Sequence, residues 1–136
     1  MKAVFAPFCD RMSTLLSAAD LVVSRAGAGT LAELIRSQAP ALLIPYPQAA
    51  DNHQAANAEY FARQGCGEVI DQEELSSLGD RVLTLFAQPA SLAQFRENLQ
   101  RVNRIDPLDY MVSDLEGIAR SGGKGGPVFS STAGLA

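Results

Sequence analysis

Leu21-Val22-Val23-Ser24-Arg25-Ala26-Gly27-Ala28-Gly29-Thr30-Leu31-Ala32-Glu33 decides the reading of this chain. It opens with a short β-branched apolar run, the pattern of a strand buried on both faces. It passes through small residues and enters a periodic helix. Small residues let a backbone approach a ligand closely. A helix start offers N–H groups without intrahelical partners and the positive end of a dipole, which together suit an anion. Thr30 and Glu33 also have the spacing of a capping box, in which the Glu33 carboxylate bonds back to the Thr30 N–H. The other reading of Glu33 is an acceptor for two ligand hydroxyls, and spacing alone favours the box.

Outward from this stretch, apolar runs alternate with helical periodicity. Strands are expected over 2–5, 21–24, 41–44 and 68–70. Helices are expected over 10–18 (capped by Asp10), 30–37, 52–64, 75–88, 91–102 and 107–119, with Gly65 just past a helix end. That order predicts an α/β fold, a partial Rossmann-like parallel sheet flanked by helices, with ligands outside the carboxyl ends of its strands. Attention therefore falls on the segments after Ser24 and after Ile44.

The second of these contains Pro45-Tyr46-Pro47-Gln48, then Asp51-Asn52-His53-Gln54 and Asn57. Uncharged amides there suit the hydroxyls of a sugar. Gln54 and Asn57 share a helix face, and a capped, solvated helix start accounts for them equally. His53, the only histidine, is by itself more often a surface or packing residue than a catalyst. A third block, Phe8-Cys9-Asp10-Arg11-Met12, presents a backbone edge and an apolar side chain that can receive a planar base.

Composition narrows the classes. The chain has 136 residues, one domain's worth, with 47% hydrophobic and 19% charged residues and a net charge of −4. Its 11 basic residues are scattered, which argues against nucleic acid as a partner. Cys9 and Cys66 read as core thiols, and no Cys/His spacing suits a metal. No apolar run approaches the ~18 residues of a membrane span, and the first eight residues do not read as a signal peptide, so a cytoplasmic protein is expected. Residues 121–136 have a Gly/Ser-rich linker composition and are expected to form a flexible tail behind a 1–120 domain. Gly-Lys-Gly in that tail lacks the phosphate-loop spacing.

Taken together, Pro7-Phe8…Met12, the Asp20–Leu34 block and residues 40–58 are similar to the C-terminal domain of the bacterial lipid II-forming GlcNAc transferases, glycosyltransferase family 28. The resemblance runs from about Val4 to Ala119, with spacing kept across all three blocks. It implies the C-terminal half of a GT-B fold that binds UDP-GlcNAc and donates GlcNAc, with inversion, to a lipid-linked MurNAc-pentapeptide in peptidoglycan synthesis. It implies that the Cys9 backbone meets the uracil, Met12 packs near it, and Ala28, Gly29 and Thr30 cradle the diphosphate. It implies that Glu33 holds the ribose hydroxyls, that Gln54 holds the GlcNAc with Asn57 near, and that His53 lies beside that contact. Arg25 matches the basic residue before the loop, where a structural pairing is equally plausible.

No cofactor or metal is implied, and the sequence has no Asp-x-Asp. The acceptor domain and its general base are not in this chain, nor are the leading strands of the donor domain. The partners expected are therefore UDP-GlcNAc, an acceptor-domain half and a lipid-linked acceptor at the inner face of the membrane. A non-catalytic UDP-sugar-binding module and a fragment inactive alone remain the alternatives. Sugar-nucleotide epimerases share the GT-B layout, but the His53-Gln54…Asn57 block matches the transferases.

Overall fold

The computed structural model describes residues 3–48 and 52–105. Among them, strands β1 (Val22–Ser24), β2 (Ala41–Leu43) and β3 (Gly67–Val69) form a parallel sheet in the order β1-β2-β3. Val22, Val23 and Ser24 stand opposite Ala41, Leu42 and Leu43, which in turn stand opposite Gly67, Glu68 and Val69. Helices α1 (Met12–Ala18), α2 (Ala28–Ser37) and α3 (His53–Arg63) precede the three strands in turn. A 3-10 helix (Gln72–Ser77), α4 (Leu78–Ala87) and α5 (Pro89–Asn103) follow.

The core lies on one face of the sheet. Leu31, Leu34 and Ile35 recur at the helical spacing that makes one apolar stripe on α2, and all three are fully buried. They join Leu16 of α1, Ala58 and Phe61 of α3, and Leu99 and Val102 of α5, packed with Ala41 and Leu43 of β2. Burying each such Leu, Ile or Phe contributes roughly 1.5–3 kcal/mol. Leu42 points to the opposite face by strand alternation and is also fully buried. Its neighbour across the ladder, Glu68, accepts from Arg81 of α4 at 2.6 Å.

Several expectations need correction. Residues 3–5 form no strand, and Val4 and Phe5 stand 83% and 94% exposed. A strand needs a neighbour, and no ladder reaches them. The alternation therefore yields three strands among the described residues rather than four. Asp10 does not cap α1, whose N-cap is Arg11 with no side-chain cap bond. Helix α2 starts at Ala28, two residues before the expected Thr30, because Gly27 takes the extended N-cap conformation and its carbonyl accepts from Leu31 N at 3.0 Å. Thr30 is thereby inside the helix, and the capping box is not formed. The helix expected over 75–88 divides into the 3-10 helix and α4. Cys9 is half-buried, and only Cys66 is a core thiol. The helix expected over 107–119 and the tail over 121–136 lie outside the described residues.

Two positions carry sharp constraints. An added Cβ at Gly67 runs into the Ala41 carbonyl and comes within 2.9 Å of the Phe61 ring, so glycine lets β3 sit under α3. Gly67→Ala is therefore expected to lower unfolding free energy by about 1–3 kcal/mol, the scale of core overpacking, in urea melts. Burial raises the pKa of the Cys66 thiol to about 12, with Arg101 opposing the shift. The unfolded chain releases that proton near the ordinary value of 9.0 and the folded chain retains it. Stability from this group is thus full below pH ~9 and falls as pH rises toward 12. A thiol reagent at neutral pH should leave Cys66 unmodified until denaturant is added, and Cys66→Ala should flatten the alkaline decline in the urea midpoint.

Candidate functional site

Loops leaving the carboxyl ends of the three strands meet at one end of the sheet. The helices that follow β1 and β2 run back antiparallel to the strands, so Ala28, Gly29 and Thr30 begin α2 and His53 begins α3 at that same end. Helix α1, which begins at Met12 just after Cys9, packs against α2. Met12 is 46% exposed there, and His53 is exposed at the first position of α3.

The first turn of α2 is open. It has no side-chain cap bond and no acidic residue of its own, so nothing on the helix neutralises its positive end. A Cβ built on Gly29 meets nothing within 4 Å. Glu33 is exposed one turn further along, and among the described residues its carboxylate has no partner. With the capping box absent, that carboxylate is available to accept hydrogen bonds. The start of α3 likewise has no acidic residue in its first turn.

Both amides on α3 turn inward to backbone. Asn57, 7% exposed, donates from Nδ2 to the Ala26 carbonyl at 3.0 Å and so fixes the β1–α2 loop. Gln54 accepts from the Tyr46 N–H at 2.9 Å through Oε1 and fixes the β2–α3 loop. The shared face inferred from the spacing is real, and each amide holds one of the two loops. Arg25 does the same with its guanidinium. It donates to Gln72 Oε1 at 2.8 Å and to the Ile44 carbonyl at 3.4 Å, and lies 5.5 Å from the centroid of the Tyr46 ring.

An open hollow of about 520 Å³ lies between Pro45-Tyr46-Pro47, the head of α3 at Asn52 and Ala55, and residues 71–73 after β3. The first turn of α2 does not line it. Arg25 touches two of its walls, Tyr46 and Gln72. Tyr46 lies in the block singled out after Ile44 but has no role assigned from the sequence, and Gln72 lies outside every such block. The strand-end rule applied to the third strand, which ends at Val69, would have found Gln72. Among the described residues, no group of three or more His, Cys, Asp or Glu side chains is placed to hold a metal ion. No helix there is long and apolar enough to cross a membrane.

A three-stranded parallel sheet with helix N-termini at its carboxyl end defines a Rossmann-like α/β domain. Residues 1–106 match the glycosyltransferase family 28 C-terminal domain, and the chain belongs to that family. It is 50% identical over 129 residues to the UDP-N-acetylglucosamine--N-acetylmuramyl-(pentapeptide) pyrophosphoryl-undecaprenol N-acetylglucosamine transferase of Opitutus terrae, covering 95% of this chain and 34% of that protein. The protein of the same name from Carboxydothermus hydrogenoformans is 42% identical over 118 residues, covering 84% of this chain and 31% of its own length.

The crystal structure of Acinetobacter baumannii MurG superposes with a TM-score of 0.64 at 26% identity, covering 79% of this chain and 33% of that one. The fold is part of the GT-B architecture, as the sequence resemblance implied. The chain thus spans about a third of the length of these relatives.

The loop anchors carry different loads. Asn57→Ala leaves the Ala26 carbonyl without its buried donor and should cost about 1–3 kcal/mol of unfolding free energy. Gln54→Ala removes a more exposed bond and should cost about 0.5–1 kcal/mol. Paired urea denaturation curves at neutral pH check the order.

Proposed function

We propose that this chain is the donor-binding part of an inverting glycosyltransferase that passes GlcNAc from UDP-GlcNAc to a lipid-linked MurNAc-pentapeptide in peptidoglycan synthesis. The observation that carries this reading is the start of α2, a helix N-terminus with no side-chain cap bond, with an exposed carboxylate one turn along it, Glu33, that has no partner among the described residues. The N–H groups of Ala28, Gly29 and Thr30 suit the diphosphate. Glu33 suits a pair of ribose hydroxyls. The two features have the chemistry of one nucleoside diphosphate.

The Cys9 backbone and Met12, where α1 begins, would receive the uracil. His53 and the Nε2 group of Gln54 would face the GlcNAc. Asn57 acts through the loop it holds. The names of the relatives supply the donor sugar and the acceptor in this proposal.

Negative charge grows on UDP as the glycosidic bond breaks. A fixed helix N-terminus stabilises it with no rearrangement at the moment of reaction. The dipole contributes about 0.3–2 kcal/mol to that stabilisation. Inversion requires a base on the acceptor hydroxyl, opposite the departing UDP. That base is assigned to an acceptor-domain partner or segment, because this chain corresponds to a third of its relatives. The lipid-linked acceptor sets the working position, peripheral to the inner face of the cell membrane.

Calorimetric titration of the purified chain with UDP-GlcNAc, UDP-glucose and GDP-mannose tests the reading. UDP-GlcNAc should bind selectively. Glu33→Ala should weaken it about 10- to 100-fold, the scale of losing hydrogen bonds to a charged acceptor. A folded chain that binds none of the three would sink the donor-site reading.

A further inference from the structure

We infer that Gln72 and Arg25 form a clasp that sets the shape of the donor site, with Gln72 a positioning residue that joins the third strand-end loop to the other two. The inference rests on the donor-binding reading above and adds to it a residue and a role. Arg25 belongs to the loop after β1, and the Ile44 carbonyl and Tyr46 to the loop after β2. Gln72 opens the 3-10 helix after β3. One guanidinium bonds or stacks with all of them: Gln72 Oε1 at 2.8 Å, Ile44 O at 3.4 Å and the Tyr46 ring at 5.5 Å.

Arginine suits this task because its planar, delocalised head can stack on a ring and donate in its plane at once. A lysine ammonium is a point charge and cannot span the same three partners. With Nη1 committed to Gln72 and Ile44, Arg25 acts by holding the loops in register. The Tyr46 N–H, bonded to Gln54, reports on that register, because Tyr46 is gripped by Arg25 on its ring and by Gln54 on its backbone. The clasp therefore connects Gln72 to Gln54, the side chain proposed to meet the sugar.

The test uses the full 136-residue chain. Gln72→Ala, Arg25→Ala, Arg25→Lys and the Gln72→Ala/Arg25→Ala double variant are compared by residue-resolved hydrogen exchange and by UDP-GlcNAc titration. Gln72 is on the surface, so Gln72→Ala is expected to fold even where an Arg25 variant does not.

Both single alanine variants should speed exchange at the Tyr46 amide and weaken binding by roughly three- to tenfold, the scale of one lost hydrogen bond. Amides at Leu99 and Val102 should not change. The double variant should be no worse than Arg25→Ala, and Arg25→Lys should not restore either readout.

Wild-type exchange and affinity in Gln72→Ala would overturn the inference. So would binding lost in Arg25→Ala but regained in Arg25→Lys, since the cation would then be a direct phosphate ligand. If the wild-type chain binds no UDP-GlcNAc while Tyr46 exchange still responds to Gln72→Ala, the donor reading fails and the clasp between loops stands.

Discussion

Strand β2 is hydrogen-bonded on both edges and buried on both faces, and its three side chains are fully excluded from solvent. In that position each backbone N–H and C=O must find a protein partner, because water cannot reach it. Flanking parallel strands supply those partners, and parallel strands require crossovers that return the chain to the same end of the sheet. All three loops therefore leave at one end, and the helix starts that follow β1 and β2 gather there. Ile44, one residue past β2, continues the arrangement: its N–H donates to the Ser24 carbonyl at 2.9 Å and its own carbonyl accepts from Arg25. The site is the place where the ladder runs out and side chains take over the bonding of the backbone.

That changeover explains which parts of the molecule were legible in the sequence. Leu21 to Ser24 and Ala41 to Ile44 are apolar runs that read as buried strands; the structure has strands at both, but only the second is buried on both faces, and Val23 of the first is 44% exposed. The Leu31/Leu34/Ile35 spacing fixes a helix face. Gly65 past α3 has φ of +68°, the left-handed conformation that favours glycine. The expected strand at 2–5 had equally good local composition and failed, because pairing is a property of the neighbour and not of the segment. Helix starts failed for a related reason. Asp10 and Thr30 are good caps by residue type, yet the turn before α1 and the extended Gly27 set where the helices begin.

The candidate site divides along the same line. Its chemistry was legible: small residues at a helix start, a carboxylate one turn along, and amides three apart on the next helix. What those amides bond to was not. Asn57 suits a sugar by residue type and lies near the GlcNAc contact by resemblance, and its Nδ2 donates to the Ala26 carbonyl from a buried position. Spacing places it on the correct face, but only the packing of α3 against the sheet decides whether that face meets ligand or loop. Gln72 was invisible for another reason. It is 47 residues from Arg25 in the chain, and a polar pair so distant leaves no local pattern.

The tethers have a physical rationale that joins these parts. Ala26 and Gly27 before α2, with Ala28 and Gly29 in its first turn, leave room for a phosphate to approach, but small residues also leave a free loop many conformations to lose on binding. A loop ordered only by its ligand would spend binding energy on its own ordering. Here the ordering is met beforehand, by Asn57 on Ala26, Gln54 on Tyr46, and Arg25 on Ile44 and Gln72. The Asn57 and Arg25 bonds join segments that follow different strands, and the Gln54 bond ties the β2–α3 loop to its own helix. The loop that leads into the open first turn of α2 is thus held by Asn57 on Ala26 and by Arg25 on Ile44 and Gln72. Arg25, the cation of that loop, is itself engaged in holding the loops together.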